Sequence, residues 1–311
     1  MEIIRPQTNI DFVGKNRIAV IISLVVIAAG LLSLLIQGGP KYGVDFAGGT
    51  LIQVRFVAKT QAGDIKDALV GLGLTSLTVQ QFGDSAEEFL IRTPEAGGST
   101  AQLSQKFKQA LEAKYGTSKL EILRSEMVGP QVGKDLRQKG LLAVVYALLG
   151  TLIYVAWRFE FRFGVAAIVA LAHDVLVTLG FFSLFGKEID LPIIAAFLAI
   201  IGYSLNDTII IYDRIREEIA KSDGEGLAVI VNRSINQTLS RTILTSGTTL
   251  LVVVSLFIFG GGVIHDFAFA MLVGIIAGTY SSIFVASALL LFWEKRLPRK
   301  AGGNISASNS Q

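Results

Sequence analysis

The sequence predicts a polytopic α-helical membrane protein with one small ferredoxin-like α+β domain between its first and second spans. Three observations lead there. Of the 311 residues, 51% are hydrophobic and only 17% charged, with a mean hydropathy of +0.57. A soluble chain carries about 25% charged residues. Apolar runs of membrane-spanning character recur at 18–36, 141–157, 163–185, 191–212, 242–259 and 267–293. Between the first two lies a polar stretch, residues 37–139, whose apolar positions alternate first in twos and then in helical steps.

Residues 1–17 are polar and basic, with Arg5, Lys15 and Arg17. The run 18–36 matches the roughly 20 apolar residues a transmembrane helix needs. It exceeds the apolar core of a usual cleaved leader, and no small-residue cleavage pattern follows. It reads as a first transmembrane helix with a cytoplasmic N-terminus.

The inserted stretch opens with the Gly-rich GGPKYGVDFAGGT. Residues 50–57 alternate and are β-branched-rich, as a strand requires. Residues 61–72 place Ile65, Leu69 and Leu72 on one helical face. Residues 76–82 and 87–92 read as two strands around a Gly-Asp-Ser turn. Residues 100–115 form a second helix with Leu103, Phe107, Ala110 and Leu111 on one face, and 119–128 a last strand. The order β-α-β-β-α-β is the ferredoxin-like pattern, and about 80 residues suffice for one modest core. Gly48-Gly49 lacks the Gly-Lys-Ser/Thr of a phosphate loop and reads as a turn from helix to strand. Residues 127–138, with Gly129-Pro130 and Gly133, read as a hinge before the second span.

The remaining spans alternate in direction. The short connections assigned inside carry Arg158 and Arg162, then Arg214, Arg216, Lys221, Arg233 and Arg241 across 213–241; the short outer connections carry only Lys187. That asymmetry places both termini in the cytoplasm and the α+β domain in the periplasm. Residues 294–311 form a cytoplasmic tail whose Gly/Ser/Asn-rich end predicts disorder.

Several chemistries find no support. No cysteine is present, which removes disulfides and thiolate sites, and the two histidines, His173 and His265, form no paired metal motif. The outer domain has no acid–base or nucleophile constellation, so no enzyme activity, cofactor, metal or nucleic-acid partner is expected.

What stands out is polar chemistry inside the spans. A charged side chain at a bilayer centre costs roughly 2.5–3.5 kcal/mol on insertion scales, so an intramembrane acid is a functional-site hypothesis by default. Asn206-Asp207 lies in span four. His173-Asp174 lies roughly 17 Å inside span three. As neighbours on a helix these two point about 100° apart, so interhelical hydrogen bonding and proton transfer are both open for them. Span five begins at Arg241 and places Arg241, Thr245, Thr248 and Thr249 on one polar face, from which a guanidinium can reach toward Asp207. Three readings compete: a buried pair that fixes helix packing, a site for a small solute or metal, and a proton relay in which the Arg controls the charge of the Asp. A proton crossing the membrane releases roughly 2.3 kcal/mol per 100 mV. Gly274 and Gly278 on span six form a close-packing motif.

The motifs GVDFAGGT at 43–50, VGPQVG at 128–133, AHDV at 172–175, IGYSLNDTIIIYDRIRE at 201–217 and RTILTSGTT at 241–249 resemble those of the SecD/SecF family of the RND superfamily, on its SecF side. The resemblance spans roughly residues 11–292. It implies an RND-type half-unit that pairs with SecD, associates with the SecYEG translocon in the cell inner membrane, and uses the proton motive force in late steps of preprotein export. It also implies a proton pathway of Asp207 and Arg241, with Asn206, Thr245 and Thr248 as lining residues and H⁺ rather than a cofactor as coupling ion. His173 and Asp174 remain a possible secondary polar site. The alternatives are half of an RND-type transporter for a small solute or lipid, and a passive scaffold.

Overall fold

The structure is a computed structural model that describes residues 9–74, 77–82, 87–94, 100–116, 119–222 and 224–296. The turn expected at 83–85, the first residue of the strand expected at 76–82, and the tail beyond 296 lie outside them. Six helices among the described residues are long and apolar enough to cross a membrane. In chain order the elements begin with α1 (Asn16–Ile36), α2 (Val44–Ala47), β1 (Gly49–Phe56) and α3 (Ala62–Leu69), followed by β2 (Thr78–Gln81), β3 (Glu88–Thr93), α4 (Thr100–Tyr115) and β4 (Leu120–Val128). Then come α5 (Pro130–Arg158), α6 (Phe161–Leu184), α7 (Leu191–Lys221), α8 (Leu227–Phe259), α9 (Gly262–Ser281) and α10 (Ser287–Arg296).

The α+β domain is one antiparallel sheet in the order β2-β3-β1-β4 with α3 and α4 on one face. Alternation decides which residues go where. Ile52, Val54 and Phe56 of β1 and Phe89 and Ile91 of β3 pack on Ile65, Leu69, Phe107 and Leu111 of the helices. Each such apolar side chain contributes roughly 1.5–3 kcal/mol by leaving water. Strand β4 needs a correction to keep its pattern. Ile122 pairs with Val54 but Arg124 pairs with Gln53, so one extra residue bulges between them. The bulge turns Ile122 toward the core and Arg124 and Glu126 to the opposite face. That second face carries Leu51, Gln53, Leu90 and Arg92 and looks onto the membrane helices across a small cleft.

The Gly48-Gly49 pair is a junction. Both have positive φ, and a side chain on Gly48 would press Pro130 at 2.8 Å. Gly48 N–H closes α2 on Val44 O at 2.9 Å, so this backbone serves a turn. The segment expected to be a hinge is different from expectation: β4 runs to Val128 and α5 starts at Pro130, whose fixed φ and absent N–H suit a first helical turn. The inner connection expected at 213–241 is also mostly helical, since α7 continues to Lys221 and α8 resumes at Leu227.

Helices α6, α7 and α9 form the middle of the bundle, with α1, α5 and α8 around them. The most apolar window of α6 is 56% buried, against 11% for α5, so the outer helices offer apolar faces to lipid or to a partner. Small residues bring the inner helices together. A side chain on Gly278 would meet Ser204 Cβ at 2.8 Å, and Gly274 faces Ile200. Gly30 of α1 crosses Gly180 of α6 as closely, since a side chain on Gly30 would meet Gly180 Cα at 2.6 Å. Between α9 and α10, Ser282–Ala286 forms a single wider π turn. Ahead of α1, the backbone of Ile10 and Phe12 is pinned to Asn236 and Asn232 of α8.

Candidate functional site

The inward stripe of α7 runs Ile193, Ala196, Phe197, Ile200, Ser204, Asp207, Thr208, Ile211 and Tyr212, all buried. Its period is helical, and a carboxylate occupies one of its apolar positions. Asp207 is fully buried. Its Oδ2 accepts from Ser246 Oγ of α8 at 3.3 Å, and Ser246 shares a 2.8 Å hydrogen bond with Thr279 of α9. Its Oδ1 is buried with no hydrogen-bond partner among the described residues. Thr242 Oγ1, one turn before Ser246, and Tyr212 OH are unpartnered as well. Nearly all buried polar atoms in folded proteins are paired, so Asp207 Oδ1 and Thr242 Oγ1 mark this layer as unusual, while the Tyr212 ring faces Phe159 and Phe163.

Arg241 forms no ion pair with Asp207. It is exposed, and the face of α8 that packs inward is Thr238, Thr242 and Ser246. The predicted polar face of Arg241, Thr245, Thr248 and Thr249 is rotated by about one residue, or about 100°, from the observed one. Val231, Ile235 and Leu239 set that rotation by packing in the core, which leaves the long cationic side chain outside. Thr248 is exposed and its hydroxyl turns back to Leu244 O and Thr245 O; Thr245 is half-buried. Asn206 points away from the bundle, next to Gly202 on the exposed side of α7. The structure thus brings Asp207 together with Ser246 and Thr279, and leaves Asn206, Arg241 and Thr248 on the outer surface.

A second buried carboxylate sits on α6. Asp174 accepts from Ser204 of α7 at 2.6 Å and from Ser281 of α9 at 2.8 Å, while His173 Nδ1 lies 2.9 Å from its other oxygen. His173 Nε2 continues to Ser23 of α1 at 3.1 Å, and Ser23 to Tyr280 at 3.2 Å. His173 and Asp174 are thus linked to each other but reach different neighbours, His173 toward α1 and Asp174 toward α7 and α9. Three donors suit an acceptor-only carboxylate, and the network ties α1, α6, α7 and α9. Thr208 meets Ser282 at 2.8 Å beside it. Ser246 lay unmarked within RTILTSGTT. Thr279, Tyr280, Ser281 and Ser282 lie outside the motifs named above, although four consecutive hydroxyl residues inside an apolar run are a readable signal.

This arrangement can hold a charge or a proton in the bundle centre. No group of three or more metal-ligating side chains exists among the described residues. Fold and site together define a class: a multi-pass membrane protein with ionisable groups in its core and a ferredoxin-like domain outside it.

The comparisons place the chain within that class. Residues 106–296 match the family described as protein export membrane protein SecD/SecF, C-terminal, and residues 33–59 match the SecD/SecF GG motif. The chain belongs to the SecD/SecF family. It is 47% identical over 293 residues to protein translocase subunit SecF of Desulfurispirillum indicum, covering 92% of each chain. It is 47% identical over 303 residues to that of Magnetococcus marinus, covering 96% of this chain and 97% of the other. Among solved structures it resembles SecDF from Thermus, a translocon-associated membrane protein, at TM-score 0.86 and 38% identity over 94% of this chain. It spans 40% of that longer chain. A SecDF structure in a super-membrane-facing form matches at TM-score 0.68 and 40% identity over 93% of this chain and 39% of the other.

Proposed function

We propose that this chain is a protein-export subunit that acts with SecD and uses the proton motive force to assist late steps of preprotein translocation through SecYEG. The observation that carries the reading is Asp207: a buried carboxylate in the inner third of a span, with one oxygen held by a single hydroxyl and the other without a hydrogen-bond partner among the described residues. A carboxyl so placed binds and releases a proton at the cost of little local rearrangement. H⁺ is the coupling ion, and no other cofactor is required.

Partnership with SecD draws support from the surface. Arg241, Asn206 and Thr248 are exposed on α7 and α8. Facing lipid they would be costly, whereas helices of a second half-unit would give them polar neighbours. In this reading Arg241 approaches the Asp207 layer only when the two half-units move against each other. The Arg and Lys residues at the ends of α5, α6, α7 and α8 opposite the α+β domain favour a cytoplasmic location for that side and for both termini, in the inner membrane. The α+β domain is then periplasmic, where an emerging preprotein would be handled.

The test is Asp207→Asn in the SecD-containing complex, with export and proton flux measured together. Loss of both supports the relay. Retention of both reduces Asp207 to a packing residue.

A further inference from the structure

The α+β domain meets the membrane bundle at the start of α5, where Gly48 and Phe46 pack on Pro130 and Gly133, and at the beginning of α7. Asp190 caps the helix, its carboxylate accepting from Ile193 N–H at 3.2 Å. Asp45, on α2 just before the sheet, accepts from Leu191 N–H at 3.0 Å and so satisfies another N–H of the same helix end. The backbones are laced together as well: Gly43 N–H donates to Ile189 O and Ile189 N–H to Lys41 O, both at 2.8 Å. Above them Arg92 projects from the membrane-facing side of β3 and forms an ion pair with Glu188, two residues before the Asp190 cap. Both partners are about four-fifths buried. Arg92 Nε and Glu188 Oε2 are buried with no hydrogen-bond partner among the described residues.

These contacts converge on the helix that carries Asp207. From Leu191 to Asp207 is one uninterrupted stretch of about 24 Å of helix. A helix transmits a displacement of its end as a rigid element, and the connection 185–190 is too short and too tightly bonded to absorb one. We propose that Arg92 is the coupling residue of this chain: through Glu188 it locks the α+β domain to the first turn of α7, so that movement of the domain and movement of the Asp207 layer accompany each other. The proposal rests on the proton reading of Asp207 given above. Arg92 is a positioning residue in this scheme, acting through Glu188 and α7. Two features make the lock suited to opening. The ion pair bridges the sheet and the loop across a small cleft, and its unpartnered atoms lower the cost of exchanging it for water. Asp266 at the start of α9 and Lys187 pair with each other beside it, at 2.5 Å, so the membrane side keeps its own order when Arg92 leaves.

The test uses the absence of cysteine from the chain. Spin labels at Lys59→Cys, on the domain, and Leu184→Cys, at the end of α6, report docking by their separation in proteoliposomes with a cysteine-free SecD. Wild type is expected to give one narrow distance population. Arg92→Glu and the milder Arg92→Gln broaden or lengthen it, and Arg92→Glu with Glu188→Arg restores it. Export driven by an imposed proton gradient falls about tenfold in Arg92→Glu, as breaking a buried charge pair implies, and recovers in the double swap, at equal amounts of membrane-inserted chain. An unchanged distance in both Arg92 variants overturns the docking claim. Lost docking with undiminished export overturns the coupling claim, as does a double swap that restores docking but not export. Asp207→Asn separates the two layers of the account. It should stop gradient-driven export while leaving the docking distance as in wild type; if it exports normally, the proton reading fails, and the distances still decide whether Arg92 docks the domain.

Discussion

Ser246 donates to Asp207 across the contact between α7 and α8, Oγ to Oδ2 at 3.3 Å, and Oδ1 is left buried and unpartnered. Arg241, one helical turn and a residue earlier on α8, makes no ion pair with that carboxylate. The acid is therefore held by one hydroxyl among the described residues, with Arg241 of α8 on the outer surface.

Ser246→Ala removes that hydroxyl. A hydrogen bond to a charged group contributes roughly 1.5–3 kcal/mol, so gradient-driven export should fall about tenfold or more, with the chain still inserted normally. Ser246→Thr keeps the hydroxyl and should retain most of the rate. Equal rates for the Ala and Thr variants would remove Ser246 from the mechanism.

The Asp174 network should act on stability. Asp174→Ala strands Ser204, Ser281 and His173 in the core, and each buried polar group left unpaired costs about 1–3 kcal/mol. Thermal unfolding in detergent should shift strongly downward. Asp174→Asn still accepts one or two of the bonds and should lose less. A wild-type melting profile for Asp174→Ala would contradict the clamp.

Gly278 tests the inner packing. Its Cα faces Ser204, and an added Cβ would lie 2.8 Å from Ser204 Cβ. Gly278→Leu should push α7 and α9 apart at a cost of about 1–3 kcal/mol or more, and disturb Asp174 through Ser204. Gly150→Leu on α5 meets nothing within 4 Å and serves as the matched control. Similar unfolding temperatures for the two variants would argue against a close helix contact.

Asp190 gives a pH dependence. Burial pushes its carboxyl from 3.8 up to about 6, with Asp45 and Asp266 adding to the rise and the hydrogen bond from Ile193 N–H opposing it. Between those two values the folded protein holds a proton that the unfolded chain has released. Stability contributed here is present at low pH and falls as pH rises from about 4 to about 6, then stays level. Asp190→Asn keeps the capping oxygen, so it should flatten this slope and raise stability at neutral pH. An identical slope in the variant, measured by thermal unfolding across the range, would rule Asp190 out as its source.

Much of the architecture was legible in the sequence. Six spans, the β-α-β-β-α-β order and the Gly274/Gly278 contact follow from apolar length, period and small-residue spacing, which are local properties. The site was legible in part. Asp207 and Asp174 announce themselves because an acid within an apolar run has few bland explanations. Their partners do not. Which side of α8 faces inward depends on how Val231, Ile235 and Leu239 seat against α6 and α7, and a rotation of one residue exchanges Arg241 for Thr242. The Gly30–Gly180 crossing joins spans far apart in sequence, and no local pattern marks it. The Arg92–Glu188 pair depends on a β-strand face and a six-residue connection meeting in space.

The passive-scaffold alternative predicts that neutralising Asp207 and Arg241 together is harmless. The relay predicts that the double change is no better than Asp207→Asn alone, because the proton-binding group is missing in both.

The central claim is that Asp207 carries the proton that drives export. It is tested most directly by purified SecD-containing complex in proteoliposomes with SecYEG, comparing wild type and Asp207→Asn for proton flux and for preprotein export with and without an imposed gradient. The account predicts that Asp207→Asn exports at the gradient-independent rate and conducts no protons. Gradient-stimulated export and proton flux equal to wild type would contradict it.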